Sequence, residues 1–238
     1  MLYFYDGSPA GFLTAFLQAF TDEDAVLCSH ASQLHLGETS VYVQTDEGRA
    51  IRAKERLRSF DKNFPHELSF LLRSGEAGAE QTAFLYFRLL AERKRPVSQM
   101  LTSETVFRAR EIIKRVGFEI HRFHGFIRFT ECANGALYAP FAPDNDICDL
   151  LAPHFRARFP TYPFVIHDIK RKKAVFYDGK NTFVAPLQEA SVVLSANEDN
   201  YQALWKEYYK SVNIPSRARE KQMRGYMPVR YWQFLTEL

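Results

Sequence analysis

The chain has 238 residues, 46% of them hydrophobic and 25% charged, with 21 Phe and 12 Tyr. This composition excludes a disordered or fibrous chain, and the length accommodates one large domain or two smaller ones. Net charge is only +3, but residues 1–48 hold seven acids and no Lys or Arg, leaving 31 basic against 21 acidic residues in the remainder. That asymmetry predicts an anionic partner for the later part and a different contact, with a basic protein surface, for the start.

Cys28, Cys132 and Cys148 are spaced 104 and 16 apart, which fits no zinc or iron–sulfur pattern. Three cysteines also disfavour a disulfide framework, so reduced structural thiols in a cytoplasmic protein are expected. No apolar run approaches the roughly 18 residues of a membrane span. The start, MLYFYDGSPAG, lacks the basic segment of a secretory leader.

In chain order, LYFYDGSPAGFLTAFLQAF reads as strand, turn and helix. Ser8 is placed to cap the helix, Pro9 suits its first position, and Phe12, Leu13, Phe16, Leu17 and Phe20 recur at helical spacing. Thr39–Thr45 is a second strand, so the helix can connect two parallel strands. A phosphate at the helix start is disfavoured because Asp6 would repel it, and a structural turn is expected. Residues 48–95 read as helices, broken at Gly75 and Gly78, with pieces near 64–74 and 79–93. Arg93–Pro96 marks a boundary between a βα/helical region, 1–95, and the rest, 96–238, although the two can pack as one domain.

The clearest helix spans about Ser103–His121, with the apolar stripe Val106, Ala109, Ile113, Val116 and Ile120 and several Arg and Lys off it. Strands are expected at 125–131, 135–141, 162–168 and 173–178, with Asn134–Gly135 as a turn and a helical stretch with Pro153 between the second and third strands. Tyr201, Leu204, Trp205, Tyr208 and Val212 then form one helical stripe. The last segment breaks at Gly225–Pro228 and ends in a short aromatic helix. The expected fold is α+β: a mainly antiparallel sheet flanked by helices, with an N-terminal βα unit and a helical C-terminus.

Read with a period of two, residues 123–130 place Phe123, Ile127 and Phe129 on one face and His124, Phe126 and Arg128 on the other. Tyr138 from the next strand can join the second face, with His167 further along the sheet. Rings beside cations on a sheet suit base stacking and phosphate neutralisation, so His124, Phe126, Arg128 and Tyr138 are candidate nucleic-acid contacts. A second candidate is the basic arm Arg217–Trp232, where Arg217, Arg219, Lys221, Arg224 and Arg230 stand against Glu220.

Other constellations are weaker. His121 and His124 form H-x-x-H near Cys132, but a metal site needs a third or fourth ligand such as His154 or His167. The change from helix to strand puts Cys132 beside His124 only if the strand is regular, so ordinary hydrogen-bonded histidines are expected. His167 and Asp168 are adjacent on a strand and so face opposite ways. Asp144, Asp146 and Asp149 suit capping and dipole matching at a helix start. Asp144, Asp146, His154 and His167 remain the candidates if the chain is an enzyme acting on damaged DNA.

Several stretches together resemble one family: YDGS with GFL near the start, HRFHGFIRF, GALYAPFAPDNDI, LLAPHFRARFP, FVIHD, FYDG, Trp205 with YY, NIPSR and MPVRYWQFLTE. They are similar to a bacterial DNA-metabolism family of unknown function, usually encoded beside a radical-SAM protein assigned to DNA repair. A related domain occurs fused to uracil-DNA glycosylase domains. The resemblance implies a role in DNA repair and a radical-SAM partner, but no reaction and no cofactor. The chain itself lacks the closely spaced cysteines of a radical-SAM enzyme. The expected function is a DNA-binding accessory protein working with a radical-SAM enzyme. The alternatives are an enzyme on damaged DNA and a protein-interaction adaptor whose acidic start meets the partner.

Overall fold

The structure, a computed structural model, describes residues 1–29, 39–212 and 220–237. The chain divides into two compact units, Met1–Gly117 and Phe118–Leu238.

The first unit begins with β1 (Leu2–Phe4), α1 (Pro9–Ala19), β2 (Val26–Cys28) and β3 (Ser40–Tyr42). The strands form a parallel sheet in the order β2-β1-β3. The expected parallel pair is therefore β1 with β3, and α1 leads into a third strand that the short run VLC gave too little pattern to reveal. Ser8 caps α1 as its spacing predicts, its hydroxyl accepting from Gly11 N at 2.9 Å. The helices α2 (Glu47–Phe60), α3 (Phe64–Leu72) and α4 (Ala79–Arg93) follow, with Asp46 capping α2. Phe12, Phe16, Phe64, Phe84 and Phe87 interlock edge to face in the core, which adds directional contacts to apolar burial.

The fifth helix, α5, runs Glu104–Phe126, five residues beyond its expected end. Its buried positions are Val106, Ala109, Ile112, Val116, Glu119 and Phe123, a stripe of threes and fours. This corrects the expected strand at 125–131. Phe123 and Ile127 satisfy both an i, i+4 and an alternating pattern, and the backbone bond from Ile127 N to Phe123 O resolves the ambiguity as a helix end. Only Thr130–Glu131, β4, remains extended there.

The rest of the second unit comprises β5 (Leu137–Phe141), α6 (Cys148–Arg158), β6 (Phe164–Asp168), β7 (Lys173–Tyr177), β8 (Thr182–Pro186), α7 (Glu198–Val212) and α8 (Glu220–Tyr226). A 3-10 turn, Val229–Phe234, follows. The sheet order is β4-β5-β6-β7-β8, and β5 and β6 run parallel while the other neighbours are antiparallel. The sheet is thus mixed and the first unit's sheet is parallel, which corrects the expected mainly antiparallel arrangement. The cause is α6, the crossover that brings β6 back beside β5 in the same direction. The overall class is α+β.

Register places Ala139, Phe141, Phe164, Ile166, Val175 and Tyr177 on one buried face, against which α6 packs. Tyr138, Val165, His167, Phe176 and Phe183 occupy the opposite face. No helix of the described residues is long and apolar enough to cross a membrane.

Candidate nucleic-acid interface

A groove of about 700 Å³ lies between the end of α5, α6 and the start of α7. Its floor is Phe129, whose ring meets Phe155, Phe159 and Phe164 at 5.0, 5.3 and 5.8 Å between centroids. One wall is built on Arg128. Its guanidinium donates to both carboxylate oxygens of Glu237, at 2.5 and 3.2 Å, and lies 5.4 Å from the Trp205 ring. Trp205 Nε1 donates to the same carboxylate at 2.9 Å. Arg128 also donates to Gly125 O at 2.8 Å, placing a cation at the carbonyl end of α5, where the helix dipole favours it.

Glu237 is held below the usual carboxylate range. Burial pushes its carboxyl the other way, but the bonds from Arg128 and Trp205 together outweigh it. The start of α7 is fastened by buried Glu198, which accepts from Glu131 N at 2.7 Å and from Gln202 Nε2 at 3.0 Å. The rim carries Arg158, Tyr162 and Tyr201, with Tyr162 54% and Tyr201 55% exposed. The charged lining is balanced, with Arg128 and Arg158 against Glu131 and Glu198, and with Arg128 paired to Glu237 the cation at the rim is Arg158. Exposed rings beside that arginine, in a nucleotide-sized cavity, can stack planar groups and hold one anion beside them.

At the α5–α6 side of the groove, His124 stacks on His154 with centroids 4.2 Å apart and planes 14° from parallel. Neither Nε2 has a hydrogen-bond partner. Burial, then the neighbouring His154 and His121, lower the His124 pKa below the ordinary imidazole value.

The expected site residues therefore separate. His124 and Arg128 line the groove, whereas Phe126 is half-buried on the last turn of α5 and belongs to no strand. Tyr138 lies on the far face of the sheet, where its hydroxyl bonds His167 Nδ1 at 2.8 Å and His167 Nε2 donates to Leu187 O at 3.0 Å. The single face of His124, Phe126, Arg128 and Tyr138 does not form, because the helix extends through the first two. Lys221 and Arg224 sit on α8, adjacent to the Gly225 carbonyl that accepts from Arg122 at 3.4 Å. Arg217 and Arg219 lie outside the described residues.

Arg230 stands elsewhere again, in an ion pair of 2.5 Å with Asp144. The Asp144–Asn145 backbone is anchored by Glu119, only 3% exposed, whose carboxylate accepts from Asp144 N, Asn145 N, Asn145 Nδ2 and the Tyr231 hydroxyl. Asp146 pairs with Lys173. Asp144 and Asp146 thus have cationic partners near the end of the sheet, His154 is in the imidazole stack, and buried His167 serves Tyr138. The four residues considered for catalysis do not converge. Among the described residues, no group of three or more His, Cys, Asp and Glu side chains is placed to hold a metal ion.

In the first unit, Asp6 itself occupies the start of α1. Its carboxylate accepts from Ser8 N, Ser8 Oγ and Thr45 Oγ1 at 2.8, 2.6 and 2.7 Å. The hydroxyls of Ser8 and Thr45 lower its pKa. These bonds tie the turn before α1 to Thr45, which follows β3.

Sequence reasoning missed Glu119, Arg158, Tyr162 and the cationic run Lys170–Lys173. The signals were present: Glu119 falls on the apolar stripe between Val116 and Phe123, and FRARFPTY interleaves rings with cations.

No curated protein and no solved structure matches the chain significantly. Residues 77–237, which include α4, all of α5 and nearly the whole second unit, match the family model described as a domain of unknown function, DUF4130, and the chain belongs to that family.

Proposed function

We propose that the protein is a nucleic-acid-binding accessory factor whose second unit receives unpaired bases in the Arg128–Trp205 groove. The observation carrying this reading is the exposure of Tyr162 and Tyr201 on a 700 Å³ groove that also holds Arg158 and His124. Aromatic faces accept any base by stacking, and Arg158 at the rim can meet a connecting phosphate. The sequence resemblance supports DNA as the polymer, repair as the setting and a radical-SAM enzyme as the partner, and the three free cysteines fit the cytoplasm. The exposed acids Glu23 and Asp24 fit a basic surface on that partner.

A second reading, a protein-interaction adaptor, is favoured by α7. Leu204, Tyr208 and Val212 are 67%, 56% and 53% exposed along one helical stripe. Titration of a labelled single-stranded oligonucleotide with the full chain separates the readings. Saturable, salt-sensitive binding that weakens in Tyr162→Ala supports the first. Absence of binding, with association of the radical-SAM protein lost in Leu204→Glu, supports the second.

A further inference from the structure

The loop joining β6 to β7 reads Ile169-Lys170-Arg171-Lys172 and continues into Lys173 at the first position of β7. Two of its four cations are committed inward. Arg171 donates to the buried Asp168 carboxylate at 3.0 Å, to Pro143 O at 3.1 Å and to Asp144 O at 2.5 Å. Lys173 pairs with Asp146. The other two are Lys170 and Lys172, which are exposed, and neither makes an ion pair among the described residues.

The tip is held in place from beneath. Asp168, fully buried, accepts from Lys170 N and Arg171 N at 3.1 Å each, closing the turn around one carboxylate. Lys172 takes a φ of 53°, a left-handed conformation that Gly or Asn adopts at lower cost. Lys94, which ends α4, takes the same angle, so the angle marks a tight turn, and it is Arg171 that latches the tip. Ile169, 41% exposed, gives the tip an apolar shoulder, and Arg230, 51% exposed at its side chain, stands beside Asp144.

We propose that this hairpin tip, through Lys170 and Lys172, is a second phosphate-contacting surface of the protein. It takes the sugar-phosphate backbone of a nucleic acid, and it rests on the nucleic-acid reading given above. Leu137, on the groove, and Phe141, paired with Asp168, lie at opposite ends of β5. Four steps along the strand set them about 13 Å apart, so the two surfaces are distinct and one strand of nucleic acid can reach both. The groove supplies stacking, whereas the hairpin supplies charge without base recognition.

The test uses the full chain, a fluorescein-labelled single-stranded 20-mer and a duplex of the same length, titrated at several salt concentrations. A parallel arm uses phosphatidylserine vesicles. For the Lys170→Gln/Lys172→Gln variant, the slope of log affinity against log salt should flatten by about 1.4–1.8 units, at about 0.7–0.9 per lost phosphate contact, with sequence preference unchanged. Tyr162→Ala should weaken binding at an unchanged slope. Binding by wild type with the same slope in the double variant overturns the hairpin proposal and leaves the groove reading standing. No binding of either oligonucleotide by wild type overturns both. Vesicle binding that the double variant loses, without oligonucleotide binding, assigns the cations to a lipid surface instead.

Discussion

The Glu119 carboxylate accepts a 2.6 Å hydrogen bond from the Tyr231 hydroxyl across 112 residues of sequence, both side chains being buried. This contact fixes the C-terminal 3-10 turn against α5, and the same carboxylate also holds Asp144 and Asn145. Burial, with the hydrogen bond to Glu119 next, raises the Tyr231 pKa above that of an ordinary phenol, so the hydroxyl stays a donor at neutral pH. A charged group in a core is tolerated when each of its oxygens is matched by donors.

Replacing Glu119 by Ala leaves several buried donors without an acceptor and should cost about 3–5 kcal/mol. Tyr231→Phe removes one bond and should cost about 1 kcal/mol. Trp205 and Trp232, the chain's two tryptophans, are both in the second unit, so urea unfolding followed by tryptophan fluorescence reports this unit selectively. Equal effects of the two substitutions would contradict the role assigned to Glu119.

The His124–His154 stack should make the second unit acid-sensitive. Because the folded-state pKa of His124 is depressed, its contribution is present above the unfolded value of about 6.5 and lost as pH falls through the lower folded value. His154→Phe keeps a ring in the stack but removes one ionisable neighbour. An NMR titration should then show the His124 pKa higher than in wild type, still held down by burial. An unchanged value would remove His154 as a contributor.

In the first unit, a Cβ on Gly11 would come 2.1 Å from Asp6 Oδ1 and 3.0 Å from Thr45 Oγ1. Gly11→Ala must therefore displace the Asp6 carboxylate from the start of α1, at a cost of about 1–3 kcal/mol. Asp6→Ala breaks the same contacts, so the double substitution should cost clearly less than the sum of the singles. Circular dichroism melts of the four proteins in this cycle give the coupling. Simple additivity would show that the two substitutions act separately.

For the groove, Tyr162→Ala should lose about 1–3 kcal/mol of single-strand affinity while stability changes by less than about 0.5 kcal/mol, because the ring is 54% exposed. Trp205→Ala should lower both affinity and stability, since it also removes the hydrogen bond that the indole Nε1 donates to Glu237. Oligonucleotide titration together with melting curves distinguishes these patterns. Normal affinity in Tyr162→Ala would place the stacking surface elsewhere.

Local chemistry alone determined a good deal of this protein. The Ser8 cap, α3 and α4 within two residues of their expected ends, the strands β6 and β7, and the opposed faces of His167 and Asp168 all follow from nearest-neighbour spacing. Three features were decided only in the tertiary structure. The end of α5 depended on which of two compatible periods the surroundings favoured, and that moved His124 and Phe126 from a strand to a helix. The parallel pairing of β5 with β6 depended on where α6 packed. The grouping of cations depended on which found carboxylates: Arg128 met Glu237, Arg171 met Asp168 and Arg230 met Asp144, while Lys170 and Lys172 found none among the described residues. Arg171 and Asp168 are only three positions apart, but the Arg128–Glu237 and Arg230–Asp144 pairs span 109 and 86 positions, so long-range contacts decide whether those cations are neutralised.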